Sequence, residues 1–210
     1  MTARLIIAID GPAAAGKGTL ARRLAEALDL PYLDTGRLYR AVGRLVLDAG
    51  RDPSEPEVAA AAARRLKVSD LERDDLRDPA ADSAATAVAA VPAVRSALIE
   101  FQRNFGGMRG AVLDGRDIGT VIFPEAPVKL LVTASLAARA ERRWRELQER
   151  GLHVGLAEVE EDMRQRDQRD AARGAAPLRQ AADAVRLDTT DLDPEQVFIE
   201  AMRLVRARLS

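Results

Sequence analysis

The chain has 210 residues, no cysteine, a single histidine and 32 Lys and Arg against 33 Asp and Glu, for a formal net charge of −1. The missing cysteines exclude a disulfide scaffold, a thiolate nucleophile and cysteine-ligated metal, and a lone His153 excludes a histidine-rich centre. Near-neutral charge with 3% aromatic residues argues against a nucleic-acid-binding surface or a polybasic membrane anchor. No apolar run approaches the ~20 residues of a membrane span, and the apolar stretch in "MTARLIIAIDG" is too short for a signal peptide. A cytoplasmic protein is expected, with one main domain and a small insertion.

In chain order, Leu5-Ile6-Ile7-Ala8-Ile9 comes first. It is continuous and β-branched rather than alternating, which predicts a strand buried on both faces. Weaker runs follow at Tyr32-Leu33, Ala111–Leu113, Val128–Val132 and Ala184–Leu187. Each is trailed by a stretch with helical character. Strand and helix in alternation predict an α/β fold with about five parallel strands and helices on both faces. Residues 52–104 break the rhythm with two helical stretches joined by the acidic "SDLERDDLRDP", and read as an insert between the second and third strands. The core is then 1–51 with 105–210. A polar helix, "LAEVEEDMRQRDQRDAARGAAP", occupies much of 152–177, ending at Gly174 with Pro177 beyond.

The strongest chemical signal is Gly11-Pro-Ala-Ala14-Ala15-Gly16-Lys17-Gly18-Thr19, after the first strand and at the opening of a helix. The pattern G-x4-G-K is a phosphate loop. Its glycines let successive N–H groups turn inward, and those amides with the positive helix end surround a β-phosphate. Lys17 can reach the β- and γ-oxygens and follow charge as it moves. A plain strand-to-helix turn is the competing reading. Gly18 stands where such loops usually place a metal-binding hydroxyl. The metal, Mg²⁺, is therefore expected to be held by phosphates and water, and Thr19 to bond a phosphate instead. Asp114, at the end of the strand in "VLDGRD", is the candidate to orient Mg²⁺ through water. Arg116 and Asp117 project beyond it, over the sheet edge where ligands bind in open α/β folds.

"DTGRLYR" follows the second strand, with Thr35 as a possible helix cap and Arg40 one turn inside. Pro92 starts a further helix carrying Arg95. Arg166, Arg169 or Asp170, and Arg173 share one helical face, and Leu156, Val159 and Met163 can supply a packing stripe. Read without the phosphate loop, an arginine-rich helix of this kind is a solvated, salt-bridged surface.

Taken together, "GPAAAGKGT", "DTGRLYR", "VLDGRDIGTVIFP" and "RQRDQRDAARGAAPL", in this order and spacing, resemble bacterial cytidylate kinases, members of the P-loop nucleoside monophosphate kinase family. The resemblance covers nearly the whole chain. It implies a P-loop kinase fold in which ATP phosphorylates CMP and dCMP beneath a helical lid, here 152–177, with 52–104 as the monophosphate-binding insert. It also implies that Thr35 and Arg40 hold the acceptor side, that Thr86, Arg95, Arg116 and Asp117 touch the nucleoside, and that Arg166, Asp170 and Arg173 act from the lid. Members with a longer insert carry strand-like sequence between the equivalents of Leu66 and Ala84. Here that stretch is short and charged, and no independent sheet is expected.

Cytosine offers an amino donor beside two acceptors, so a carboxylate and an arginine suit it, with Asp117 and Arg95 as candidates. Which arginine meets base and which meets phosphate stays open. The expected chemistry is in-line transfer without a general base, assisted by Lys17, Mg²⁺ and the lid arginines Arg166, Arg169 and Arg173. His153, in "ERGLHVG", reads as a surface residue. The alternatives are a kinase for UMP, AMP or shikimate, or a nucleotide-dependent switch or ATPase. Small-molecule nucleotides are the expected partners, with no nucleic acid and no membrane, and the protein is expected to be a monomer.

Overall fold

The computed structural model describes residues 4–172 and 178–209, without the side chains of Arg77 and of residues 169–172. Five strands, β1 (Ile6–Asp10), β2 (Tyr32–Asp34), β3 (Ala111–Gly115), β4 (Val128–Thr133) and β5 (Val185–Asp188), form one sheet in the order β2-β3-β1-β4-β5. β1 runs parallel to both β3 and β4, and β5 runs parallel to β4. The central place of β1 explains its composition. All five of its residues are buried, because neighbouring strands flank both edges and helices cover both faces. The register sets Ile9 beside Asp114 and Asp10 beside Gly115, so the two acidic strand ends lie together at the carboxyl edge.

Among the described residues eight α-helices accompany the strands: α1 (Lys17–Ala27), α2 (Thr35–Asp48), α3 (Pro56–Arg65), α4 (Pro79–Ala89), α5 (Pro92–Arg109), α6 (Leu136–Glu149), α7 (Leu156–Ala172) and α8 (Pro194–Leu209). α3, α4, α5 and α8 each open on proline, whose missing N–H has no intrahelical partner to lose there. No single described helix is long and apolar enough to cross a membrane.

The chain divides into two compact units, Met1–Leu33 with Arg109–Ser210, and Asp34–Met108. In the first, Ile7, Ile9, Leu24, Val112, Leu130 and Val132 form the apolar centre with Ala201 and Val205 of α8. Each fully buried aliphatic side chain of this kind contributes roughly 1.5–3 kcal/mol.

Among the described residues of the second unit the regular elements beyond Asp34 are helices, with two short 3₁₀ turns, Val68–Glu72 and Asp74–Arg77, where the charged stretch was expected to lack a sheet. Its main contact is α2 against α4. A Cβ on Gly43 would come within 2.7 Å of the Ala84 Cβ, so the alanine-rich sequence of α4 is what lets the helices approach this closely. The charged turns are tied to α2 by a four-residue ionic network. Arg73 pairs with Asp48 at 2.7 Å and with Asp75 at 2.6 Å, and Arg44 with Asp48 at 2.8 Å and Asp75 at 3.3 Å. A network of this kind holds a polar segment in place without burying it.

Candidate active site

The phosphate loop runs from the end of β1 into α1. Gly11 cannot be replaced without a collision, since a Cβ there would sit 2.0 Å from the Val132 carbonyl oxygen. Ala14 (φ 56°) and Gly16 (φ 85°) adopt left-handed conformations, which curl the chain back on itself. A phosphate cradle needs carbonyls turned out so that amides can turn in. Two loop carbonyls are held by donors from outside the loop, Ala13 by Arg139 Nη1 (3.4 Å) and Ala15 by Thr189 Oγ1 (3.1 Å), while Pro12 accepts from Lys17 Nζ within it (2.7 Å). Lys17 is only 6% exposed, so its charge acts at close range, with little water to screen it. Thr19 is exposed two residues further on.

Beside this loop, β3 delivers Asp114, Gly115, Arg116 and Asp117. Asp114 is buried, and its Oδ1 accepts from the Tyr32 hydroxyl at 3.0 Å. A Cβ on Gly18 would lie 3.5 Å from that hydroxyl and 3.9 Å from Asp114 Oδ2, so Gly18 keeps the start of α1 open to both groups. Arg116 and Asp117 are half-buried, and the Asp117 carbonyl accepts from Val121 and Ile122 N–H in a short π-helical turn, Ile118–Ile122.

α7 packs on α6 through Val159 and Met163, with Ala13 and Ala14 of the phosphate loop in the same apolar cluster. The predicted stripe is therefore corrected at one position: Leu156, in the first turn of α7, is 43% exposed. Arg139 of α6 is 5% exposed and grips Asp167 of α7 with two hydrogen bonds, at 3.1 and 2.6 Å. Arg166 is exposed next to it. Arg164 pairs with Glu160 (3.0 Å) and Glu161 on its own helix, the pattern of a solvated surface. The side chains of Arg169 and Asp170, and Arg173 altogether, lie outside the described residues. His153 is exposed, 3.4 Å from Gln148 Oε1, as its loop position predicts.

The second unit carries Thr35, Arg40, Thr86 and Arg95. The helix cap is Asp34 rather than Thr35, its carboxylate accepting from Arg37 N–H at 3.2 Å, while Thr35 is buried as the first residue of α2. Arg40 pairs with Asp34 (3.1 Å) and stands 3.8 Å from Asp82, whose carbonyl accepts from the exposed Thr86 hydroxyl at 3.2 Å. Arg95 donates to the Tyr39 hydroxyl at 3.3 Å. The structure thus gathers these four residues on α2, α4 and α5. A cavity of about 610 Å³ in the same unit is lined by Arg37, Leu71, Glu72, Arg73 and Asp74, none of them a predicted acceptor residue.

The sequence profile of cytidylate kinases matches residues 7–207. The chain belongs to the cytidylate kinase family. It is 62% identical over 205 residues to a cytidylate kinase of Granulibacter bethesdensis, covering 98% of each chain. It is 56% identical over 210 residues to one of Acidiphilium cryptum, covering 100% of this chain and 99% of that one. Among solved structures, TT1252 from Thermus thermophilus aligns with a TM-score of 0.53 at 24% identity, over 99% of this chain and 98% of that one. An uncharacterized protein from Eubacterium ventriosum aligns at 0.54 and 13%, over 99% of both chains. These two likenesses concern the fold, which is that of the P-loop kinases.

For a cytidylate kinase, the donor set suits a cation delivered with its nucleotide. Among the described residues no group of three or more His, Asp or Glu can hold a metal by itself. Asp114 lies near the start of α1, and both oxygens of the neighbouring Asp10 accept from backbone amides, which fits a cation kept largely by phosphates and water. Three residues around the loop carry no signal in the sequence. Asp10, Arg139 and Thr189 act through tertiary contacts alone, and only the position of Asp10, immediately before the loop, could have drawn notice.

Proposed function

We propose that the chain transfers the γ-phosphoryl group of ATP to the phosphate of CMP and dCMP, giving CDP and dCDP. The observation that carries this reading is the phosphate loop, with the Ala13 and Ala15 carbonyls held from outside it and Lys17 buried within it, in a chain of the cytidylate kinase family. Gly11 and Ala14 to Thr19 hold the donor phosphates. Thr35, Arg40, Thr86, Arg95, Arg116 and Asp117 hold the acceptor, and Arg166, Arg169, Asp170 and Arg173 act from a lid spanning 152–177. The acceptor oxygen is anionic at neutral pH, so no side chain need remove a proton. The work left to the protein is positioning and charge neutralisation. Mg²⁺, when bound, supplies further neutralisation of the β- and γ-phosphates, and Asp114 is the carboxylate that would hold its water. The enzyme is read as a cytoplasmic monomer acting on free nucleotides, with the insert at 52–104 on the acceptor side.

A coupled assay of ADP release with CMP, dCMP, UMP, AMP and shikimate as separate acceptors tests this. CMP and dCMP should raise ATP turnover far above the others. Turnover indifferent to every acceptor would remove the kinase reading, and a preference for UMP or AMP would remove the account of base choice.

That account makes a narrower prediction. A carboxylate at 117 accepts from the cytosine amino group and opposes the uracil carbonyl, and such a mismatch discriminates strongly. Asp117→Asn should therefore lower the CMP/UMP ratio of kcat/KM by about tenfold or more. A ratio equal to wild type would show that Asp117 does not read the base. For the lid, Arg166→Ala should lower kcat by about tenfold while changing ATP affinity little, because a guanidinium serving the moving phosphoryl is needed most in the transition state. Equal losses in affinity and rate would assign Arg166 to ground-state binding instead.

A further inference from the structure

Asp10 is the last residue of β1 and the last before the phosphate loop. It is buried, 6% exposed, and both its carboxylate oxygens are occupied by backbone donors from another segment. Ile118 N–H donates to Oδ1 and Gly119 N–H to Oδ2, each at 2.8 Å. The next residue makes a second tie to the same segment, Gly11 N–H donating to the Gly115 carbonyl at 3.3 Å. Between these ties, at 115 and at 118–119, the chain arches over two residues, Arg116 and Asp117. Those are the residues the proposed function gives to the acceptor.

We propose that Asp10 is a positioning residue for the acceptor: its carboxylate fixes the far end of the arch that presents Arg116 and Asp117, from the strand that also launches the donor loop. The proposal rests on the acceptor reading above.

Chemistry explains why a carboxylate is required. Two N–H donors need two acceptor oxygens, whereas asparagine offers one oxygen and would turn an NH₂ donor toward the other N–H. The approach is close: a Cβ at 119 would stand 3.4 Å from Asp10 Oδ2 and 3.1 Å from the Lys129 stem, so a larger residue there would press on both. Lys129, buried beside Gly119, is not spent on Asp10. Lys129 Nζ bonds Asp183 (2.8 and 2.9 Å) and the Pro124 carbonyl, so only its aliphatic part faces this site. Burial pushes the Asp10 carboxyl up to about 6, with Asp117 adding to the rise, and the two backbone donors and Lys17 opposing it. Keeping such a group ionised at neutral pH works against stability. A fold that carries this penalty at the junction of two ligand loops uses it for placement.

The geometry itself can be tested without a variant. In wild-type protein at pH 8, long-range HNCO NMR should detect coupling from Ile118 and Gly119 amide nitrogens to the Asp10 carboxyl carbon. Its absence for both amides would overturn the proposal. Asp10→Asn should then raise KM for CMP at least fivefold and leave KM for ATP within twofold, with amide exchange faster at 118 or 119. A lowered melting temperature with both KM values unchanged would make Asp10 merely structural and overturn the proposal. Asp117→Asn, run in parallel, separates this failure from that of the acceptor reading. If KM for CMP is unchanged in Asp10→Asn but raised in Asp117→Asn, the positioning role alone falls. If it is unchanged in both, the acceptor reading falls and the positioning role with it.

Discussion

Lys17→Met should lower kcat by about 10³-fold, the upper range for removing one preorganised donor from a buried phosphate site. Lys17 opens α1, is 6% exposed and holds the Pro12 carbonyl at 2.7 Å, so its ammonium sits within the curl of the loop. Methionine matches the length of the stem and fills the same space, which isolates the charge from the packing. The variant also relieves the fold of a buried cation, so its melting temperature should stay near that of wild type or rise slightly. ATP affinity should fall less than kcat, because the ammonium is needed most where charge accumulates on the transferring group. Steady-state kinetics with CMP and a thermal melt decide the matter. A variant that retains more than a tenth of the wild-type rate would remove Lys17 from the chemistry.

Lys17 was also the most legible residue in the sequence, and the reason is local. A strand, a glycine-rich loop, a lysine and a helix follow one another between Ile6 and Ala27, so neighbours in sequence are neighbours in the site. The same holds for β1, whose unbroken β-branched run has few alternatives to a central strand. Legibility fails where the contact partner is far along the chain. The carboxylate of Asp10 meets amides 108 and 109 positions away, and no periodicity announces that. The π-helical turn at Ile118–Ile122 starts directly on those amides, so its unusual hydrogen bonding was equally invisible. The arginines of α6 show the limit most plainly. Arg139, Arg142, Arg143 and Arg145 stand in one run, "ARAERRWRE", with nothing in composition to rank them. In the structure Arg145 and Arg143 pair with glutamates on the solvent side, and Arg142 bonds Thr189 at 3.0 Å, while Arg139 alone of these four is buried. The cap of α2 differs from the expectation by one residue: Asp34 and Thr35 are both good caps by type, and the structure uses Asp34 while Thr35 is buried.

Arg139 carries the second large effect, because one guanidinium joins the phosphate loop, α6 and α7. Its Nε donates to the Ala134 carbonyl at 3.0 Å, Nη1 to the Ala13 carbonyl at 3.4 Å, and Nη1 and Nη2 to Asp167. Arg139→Met would leave a carboxylate and two carbonyls without this donor. Breaking a fully buried ion pair costs about 3–5 kcal/mol, but the Asp167 side chain is 31% exposed and regains part of its hydration, so about 2 kcal/mol is expected. For a chain of this size that is a fall of roughly 4–8 °C in Tm. The rate should fall by about thirtyfold as well, because Arg166 neighbours Asp167 on α7 and a misplacement near 1 Å is costly in catalysis. These two consequences have different causes and can be separated. In Arg139→Met/Asp167→Leu no charge is left unpaired, and replacing such a pair by apolar residues is often neutral or stabilising. Tm should therefore return towards wild type while the rate stays low, since nothing then ties α7 to the Ala13 carbonyl. Recovery of Tm and rate together would mean that the pair serves stability alone and that the apolar contacts of Val159 and Met163 suffice to place α7.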